Sequence, residues 1–427
     1  MKILIATDTY KPTINGVVTS IINLQSGLQT LGHEVRILTL SSTDQSYIDS
    51  DIYYIGAYDV SELYPDAKIK IKQGKKELIH ILNWKPDIIH TQSEFNTFLL
   101  AKQIAKKLSI PIIHTYHTMY EDYTHYFSPN KKMGKKAVTA ITNHVANHVS
   151  AMVAPTNKIY NVLTTYGVDC PIEVIPSGIS LEKFETNIPQ QEIINLKTQL
   201  NLPQDNLILL SVSRIGKEKN IDELIGYMKS LRDKKISLVI VGDGPYKEEL
   251  EDLVSLYDLE DNIKFTGMIT PQQVPVYYQM ADLFVSASTS ETQGLTYIEA
   301  LASGTPILCR KDDCLDGVLL EGKNGYSFED KTEFLAKLDN FITRKDKEDM
   351  MIEAKTTVGA YSKAIFTDNI ATLYQRYTKS DERCDGLGSP LKCNTQQKKY
   401  TMIVSSLILA GSTIYGYSFI KNRKSGI

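Results

Sequence analysis

Short apolar runs alternate with longer amphipathic segments along most of this chain, and the alternation starts over near its middle. Residues 3–6, 35–40, 52–55, 87–90, 112–114, 151–154 and 172–175 read as strands. Residues 18–30, 73–83 and 97–107, lying between them, carry helical spacing. A second series follows at 207–213, 236–241, 263–266, 283–286, 306–309 and 325–328. Strands that alternate with helices build parallel sheets covered on both faces, because a parallel pair needs a crossover connection. At 427 residues the chain also exceeds what one core supports, so two doubly wound domains are expected, joined near residues 178–203. Ligands of such domains bind in the crevice outside the carboxyl ends of the strands.

The residues at those strand ends suggest the ligand. After the strand at 283–286 come Glu291, Gly294 and Glu299, with seven residues between the two glutamates and a helical pattern opening at Gly294. A strand that turns through small residues into a helix presents backbone N–H groups to an anion. Carboxylates beside that turn accept hydrogen bonds from hydroxyls. Phosphate together with hydroxyls describes a sugar nucleotide. Arg214 and Lys219 follow the first strand of the second series. A guanidinium and an ammonium suit a diphosphate by forked bonding and by point charge. From position alone, two solvated cations on a surface loop are the plainer description, as charged residues usually are. Val241-Gly-Asp-Gly-Pro245 is a further glycine-rich turn, most simply a chain reversal.

In the first half, Asn15 and Gly16 precede a helix, and the glycine either lets backbone approach a phosphate or simply starts that helix. No GxGxxG fingerprint is present, which counts against a nicotinamide or flavin enzyme. Residues 113–126 gather three histidines and four tyrosines after a strand. His114 falls in the strand, whereas His117 lies on the loop, where catalytic groups concentrate. No third ligand at helical spacing accompanies this pair, so no metal site is expected. Glu121 and Asp122 are either acid/base carboxylates or solvated loop residues, and His90 to Glu94 form a candidate rim of the crevice. Lys131, Lys132, Lys135 and Lys136 follow an aromatic stretch containing Tyr123 and Tyr126. They form either an ordinary solvated helix face or a basic surface for anionic lipid.

The tail is different in character. Residues 381–399 are polar and read as a linker, and residues 400–420 run 21 positions without a charge. As a helix that run would be roughly 30 Å long, enough to cross a bilayer core, or it lies at the interface. Five cysteines form no CxxC pair and leave an odd one, so a reducing compartment is expected. The apolar start is too short for a signal peptide. A net charge of −3 argues against a nucleic-acid partner.

Together the Glu291–Glu299 segment, Arg214, Lys219, Gly16 and the His117 loop resemble the retaining glycosyltransferases of family 4, over roughly residues 1–378. The resemblance implies an α/β GT-B fold: two Rossmann-like doubly wound domains facing a central crevice, here with an added C-terminal apolar helix. It implies an acceptor domain over 1–178, a nucleotide-sugar domain over 179–360, and a helix over 361–380 packing back toward the first domain. Within the family, the stretches at 90–95, 116–126 and 265–268 are most similar to bacterial 1,2-diacylglycerol 3-α-glucosyltransferases. UDP-glucose is then the donor substrate, with no bound cofactor and any magnesium stimulation left open. Diacylglycerol is the acceptor, on the cytoplasmic face of an anionic membrane.

By position, Glu291 would meet the donor sugar's hydroxyls and Glu299 the ribose. Arg214 and Lys219 would hold the diphosphate with the backbone at Gly16, Gly294, Leu295 and Thr296, and His117 would lie beside the sugar. Tyr123, Tyr126, Lys131, Lys132, Lys135 and Lys136 would serve the lipid side. Members of the family have two adjacent glycines where this chain has Asn15 and Gly16. A different hexose donor and a soluble or cell-wall acceptor are the alternatives within the enzyme class. An inactive tethered scaffold fits less well with the complete set of charged residues.

Overall fold

The computed structural model describes residues 1–59, 68–70, 74–122 and 130–378. Tyr123, Tyr126, the segment at 381–399 and the apolar run at 400–420 lie outside the described residues. Among the described residues, no helix is long and apolar enough to cross a membrane.

Among the described residues, ten strands belong to the first half: β1 (Lys2–Ala6), β2 (Glu34–Leu40), β3 (Tyr47–Asp49), β4 (Ile52–Ile55), β5 (Ala57–Asp59), β6 (Lys68–Lys70), β7 (Ile88–Thr91), β8 (Ile112–Thr115), β9 (Ala151–Ala154) and β10 (Ile172–Val174). All but β5 and β6 form one sheet in the order β10-β9-β8-β7-β1-β2-β4-β3, and β5 pairs with β6 in a separate antiparallel ribbon. Only the edge pair β3–β4 of the large sheet is antiparallel. β7, β8 and β9 are buried at every position, as strands covered on both faces must be. The order reverses at β1, which lies between β2 and β7, so the topological switch point opens beyond Ala6 and Thr91.

The second half repeats the plan with β11 (Leu207–Val212), β12 (Ile236–Val241), β13 (Ile263–Gly267), β14 (Leu283–Ser286), β15 (Ile307–Arg310) and β16 (Gly325–Phe328). These run parallel in the order β13-β12-β11-β14-β15-β16. Here β11 lies between β12 and β14, and the switch point opens beyond Val212 and Ser286. It therefore receives both the Arg214 loop and the Glu291 segment.

Two crossings of the chain between the lobes lie side by side. The Ile179 N–H donates to the Tyr361 carbonyl at 2.9 Å, and the Lys363 N–H to the Ile179 carbonyl at 2.8 Å. The segment at 178–203 is not a bare connection, since it carries the helices Glu182–Glu185 and Gln190–Gln199. The helix Lys363–Thr378 buries Phe366, Ile370, Leu373 and Tyr374 in the core of the first sheet, against Ile21, Leu24 and Leu28. Gly27 permits that approach, because a Cβ there would lie 2.1 Å from the Thr367 hydroxyl oxygen.

Candidate functional site

In the second lobe, the chain leaves β11 and reaches Arg214 beside the turn that follows β12. The Ile215 N–H donates to the Asp243 carbonyl and the Ser213 N–H to that of Val241, at 2.9 and 3.1 Å. The glycine-rich turn at 242–244 thus braces the Arg214 loop. Arg214 is paired with the buried Glu218 one helical turn later. Sequence reading missed Glu218, although its i, i+4 spacing from an arginine is a usable signal. Lys219 is paired with Glu291 from the neighbouring strand end, with both side chains largely buried. Burial works to raise the Glu291 pKa, but Lys219, the Ser288 hydroxyl and Lys158 outweigh it and hold the carboxyl below its ordinary value.

Gly294 takes φ +73°, and a Cβ there would sit 2.5 Å from the Tyr297 ring, so only glycine turns the chain from this loop into the helix Leu295–Ala302. Among the described residues, no side chain caps this helix. Its first N–H groups, at Leu295 and Thr296, are those that an anion would use. Glu299 lies one turn further on, where its Oε2 accepts a hydrogen bond from Tyr278 at 2.9 Å. Burial pushes Glu299 up to about 7, against the opposing pull of the Tyr278 hydroxyl and Lys183. Tyr278 is fully buried and was not anticipated.

Across the crevice, Asn15 caps the helix Gly16–Thr30 by accepting from the Val18 N–H at 2.9 Å. Gly16 faces Leu295, whose Cδ1 would lie 3.8 Å from a Cβ at that glycine. The N-termini of two helices, one per lobe, therefore converge on one point. Their dipoles add positive potential to that of Arg214 and Lys219. A diphosphate matches such a field.

The first-lobe side is built from the ends of β7 and β8. His90 is fully buried, bonded through Nδ1 to the Tyr374 hydroxyl at 2.6 Å and through Nε2 to Thr115 at 2.7 Å. Burial, then His114 and His117, drive its pKa well down, so it is a neutral structural group. His114 bonds Thr91 at 2.8 Å and faces Glu94 at 3.4 Å. His117 extends past the strand, where Nε2 meets the Gln92 Oε1 at 2.6 Å. Burial and then His114 push His117 down to about 3, which keeps the ring neutral. Gln92 Oε1 accepts only from a protonated Nε2, so Nδ1 is the lone-pair nitrogen. Asp8 accepts from the N–H groups of Asn96 and Thr97 at 3.0 and 2.8 Å, capping the helix Asn96–Leu108 from another part of the chain.

The lysine segment forms the helix Lys131–Ala146, capped by Asn130. Lys132, Met133, Lys135 and Lys136 are exposed, while Val138, Thr142 and Val145 are buried on the opposite face. Lys135 pairs with Glu121 at 3.0 Å, and Glu121 also accepts from Tyr166 at 2.6 Å. Glu121 is thus a brace for this helix rather than a solvated carboxylate.

Comparison with known proteins gives the same picture. Residues 14–183 match the model of "Glycosyltransferase Family 4", and residues 192–358 that of "Glycosyl transferases group 1". An alpha-monoglucosyldiacylglycerol synthase of Streptococcus pneumoniae is 39% identical over 323 residues, 75% of this chain and 73% of that protein. A protein of the same name from Acholeplasma laidlawii is 34% identical over 390 residues, 88% of this chain and 96% of its own. Among solved structures, Anabaena HepE in complex with UDP superposes with a TM-score of 0.70 at 17% identity, over 88% of this chain and all of that one. At that identity the likeness is one of fold, and the fold is GT-B.

Proposed function

Because the chain belongs to the family 4 glycosyltransferases, we propose that it transfers glucose from UDP-glucose to the 3-hydroxyl of 1,2-diacylglycerol with retention of configuration. The observation that carries this reading is the convergence, at one crevice, of two helix N-termini, two cations and two carboxylates. The two relatives at 39% and 34% identity are both named for synthesis of a monoglucosyl diacylglycerol, and HepE, of the same fold, was solved in complex with UDP. In this reading the enzyme works on the cytoplasmic membrane face, held by its basic helix and by the segment at 400–420.

Arg214, Lys219 and the N–H groups at Gly16, Gly294, Leu295 and Thr296 hold the diphosphate. Glu299 takes the ribose and Glu291 the hydroxyls of the sugar. The glucosyl–phosphate bond breaks as the acceptor hydroxyl attacks from the face that the diphosphate leaves, and the departing phosphate oxygen takes the hydroxyl proton. Fixed positive charge stabilises the leaving group, so no carboxylate nucleophile is required. This differs from glycoside hydrolysis, where two opposed carboxylates share acid and nucleophile roles. His117, held neutral, offers its backbone carbonyl beside the anomeric carbon and adds no competing cation. Lys219 exchanges part of its bond to Glu291 for the diphosphate, which releases carboxylate lone pairs to the sugar.

The test is mass spectrometry of lipid products from diacylglycerol vesicles offered UDP-glucose and UDP-galactose separately. A hexosyl-diacylglycerol formed from UDP-glucose, with α anomeric coupling, is the expected product. No lipid product from either donor, or transfer only to a soluble sugar, overturns the reading.

A further inference from the structure

The segment that carries Glu291 belongs to the second lobe but is held by the first. Lys158, in the first turn of the helix Asn157–Thr165, donates to the carbonyls of Thr289 and Glu291 at 3.3 and 2.9 Å. The same ammonium meets both carboxylate oxygens of Asp312, just past β15, at 2.8 and 2.7 Å. Thr156 donates to the Thr292 carbonyl at 2.7 Å. The Gln293 side chain closes two bonds with the backbone of Ser177, accepting from its N–H and donating to its carbonyl, both at 2.8 Å. Four of the five residues from 289 to 293 are thus tied across the crevice.

Lys158 is the centre of this arrangement. Its side chain is 12% exposed and that of Asp312 is 10%, so the ammonium is withdrawn from water and depends on its protein partners. The first turn of a helix is also the unfavourable end for a cation. Its partners all come from the other lobe, and one is the backbone of Glu291 itself. Whatever moves the lobes apart removes these bonds together.

We propose that Lys158 is a positioning residue, fixing the backbone at Glu291 from the opposite lobe so that its carboxylate meets the donor sugar only when the lobes are closed. This rests on the donor-sugar role given to Glu291 above. Uridine diphosphate alone, which lacks the hexose, gains little from the latch. The sugar nucleotide gains from it, and the transfer step most of all.

The test compares wild type, Lys158→Met, Lys158→Arg and Asp312→Asn in the full-length protein. Hydrogen exchange of the unliganded protein reads the latch without any substrate, and exchange at 288–294 is expected to rise about tenfold in Lys158→Met, with the sheet strands unchanged. Calorimetry should show UDP affinity within about threefold of wild type and UDP-glucose affinity falling further, while kcat for transfer drops by about ten- to a hundredfold. Lys158→Arg restores part of kcat, and Asp312→Asn gives the same split with smaller amplitude and serves if Lys158→Met does not fold. Unchanged exchange at 288–294, unchanged kcat, or equal loss of UDP and UDP-glucose affinity each overturns the proposal. If wild type moves no hexose to diacylglycerol, the acceptor reading fails, while the exchange and affinity measurements still decide the latch.

Discussion

The Lys219 ammonium is bonded to the Glu291 carboxylate, so the residue assigned to the diphosphate and the residue assigned to the sugar are each other's counter-ions. The bond joins the two loops that leave β11 and β14 at the switch point of the second sheet. It sets both side chains toward one space, and it means that neither can be altered without disturbing the other.

Glu291→Gln should lower kcat/KM by about 3 kcal/mol, roughly a hundredfold, if the carboxylate meets the sugar where positive charge develops. Lys219→Met should cost a similar factor and also destabilise the fold by about 1–3 kcal/mol, because it leaves a mostly buried carboxylate without its main partner. The pH dependence has a definite sign. A carboxyl whose folded pKa is depressed contributes stability above the ordinary glutamate value and loses it as pH falls through the lower folded value. The Tm advantage of wild type over Glu291→Gln should therefore shrink as buffers are taken from about pH 6 to about pH 3. A constant difference would show that the pair does not titrate as described.

Glu299 behaves in the opposite sense. Its folded pKa of about 7 lies above the ordinary value, so the folded protein holds a proton there that the unfolded chain has lost. Stability from this group is present at low pH and declines as pH rises toward 7. Ribose hydroxyls, by contrast, are best accepted by the ionised carboxylate. UDP affinity should rise about threefold or more between about pH 6 and about pH 8, and Glu299→Gln should flatten that slope. Titration calorimetry at several pH values reads it directly, and a slope retained in Glu299→Gln would place the titration elsewhere.

Gln92 fixes the His117 ring by accepting from Nε2. Gln92→Leu should leave the strand-end core intact, since Gln92 is a buried residue replaced by one of similar size. It frees the ring to change tautomer, with a fall in kcat of about tenfold and little change in the KM for UDP-glucose. With His117 held at about 3, the wild-type rate should show no limb near the ordinary histidine pKa. A matched loss in kcat and donor KM would point to a general disturbance of the crevice instead.

Much of this architecture is legible in the sequence because fully buried parallel strands are continuous apolar runs. All thirteen strands read that way form, within a residue or two of their expected bounds. The edge strand Tyr47–Asp49 does not announce itself, being exposed at every position and fixed by pairing rather than burial. Glycine and glutamate spacing likewise marks the loop from Glu291 to Gly294, since Gly294 must take a left-handed turn there. What the sequence hides is the partner of each charged group. Glu218, Gln92, Tyr278 and Lys158 matter through contacts that only the folded crevice creates, and Lys158 is separated from Asp312 by 154 positions.

The lysines at the start of the helix Lys131–Ala146 offer the last test. Cations in a first helical turn oppose the helix dipole, at about 0.3–1 kcal/mol each. Lys132, Met133 and Lys136 are exposed there, whereas Lys135 is tied to Glu121. A basic face around an exposed methionine suits an anionic bilayer, where each lysine near the surface is worth about 1 kcal/mol. Lys132→Gln with Lys136→Gln should therefore weaken binding to vesicles rich in anionic lipid by about thirtyfold, and leave the weak binding to neutral vesicles unchanged. Tm should stay the same or rise slightly, as an unfavourable charge–dipole contact is relieved. Flotation on vesicles of the two compositions makes the comparison, and equal binding of wild type to both would remove this helix from the membrane contact.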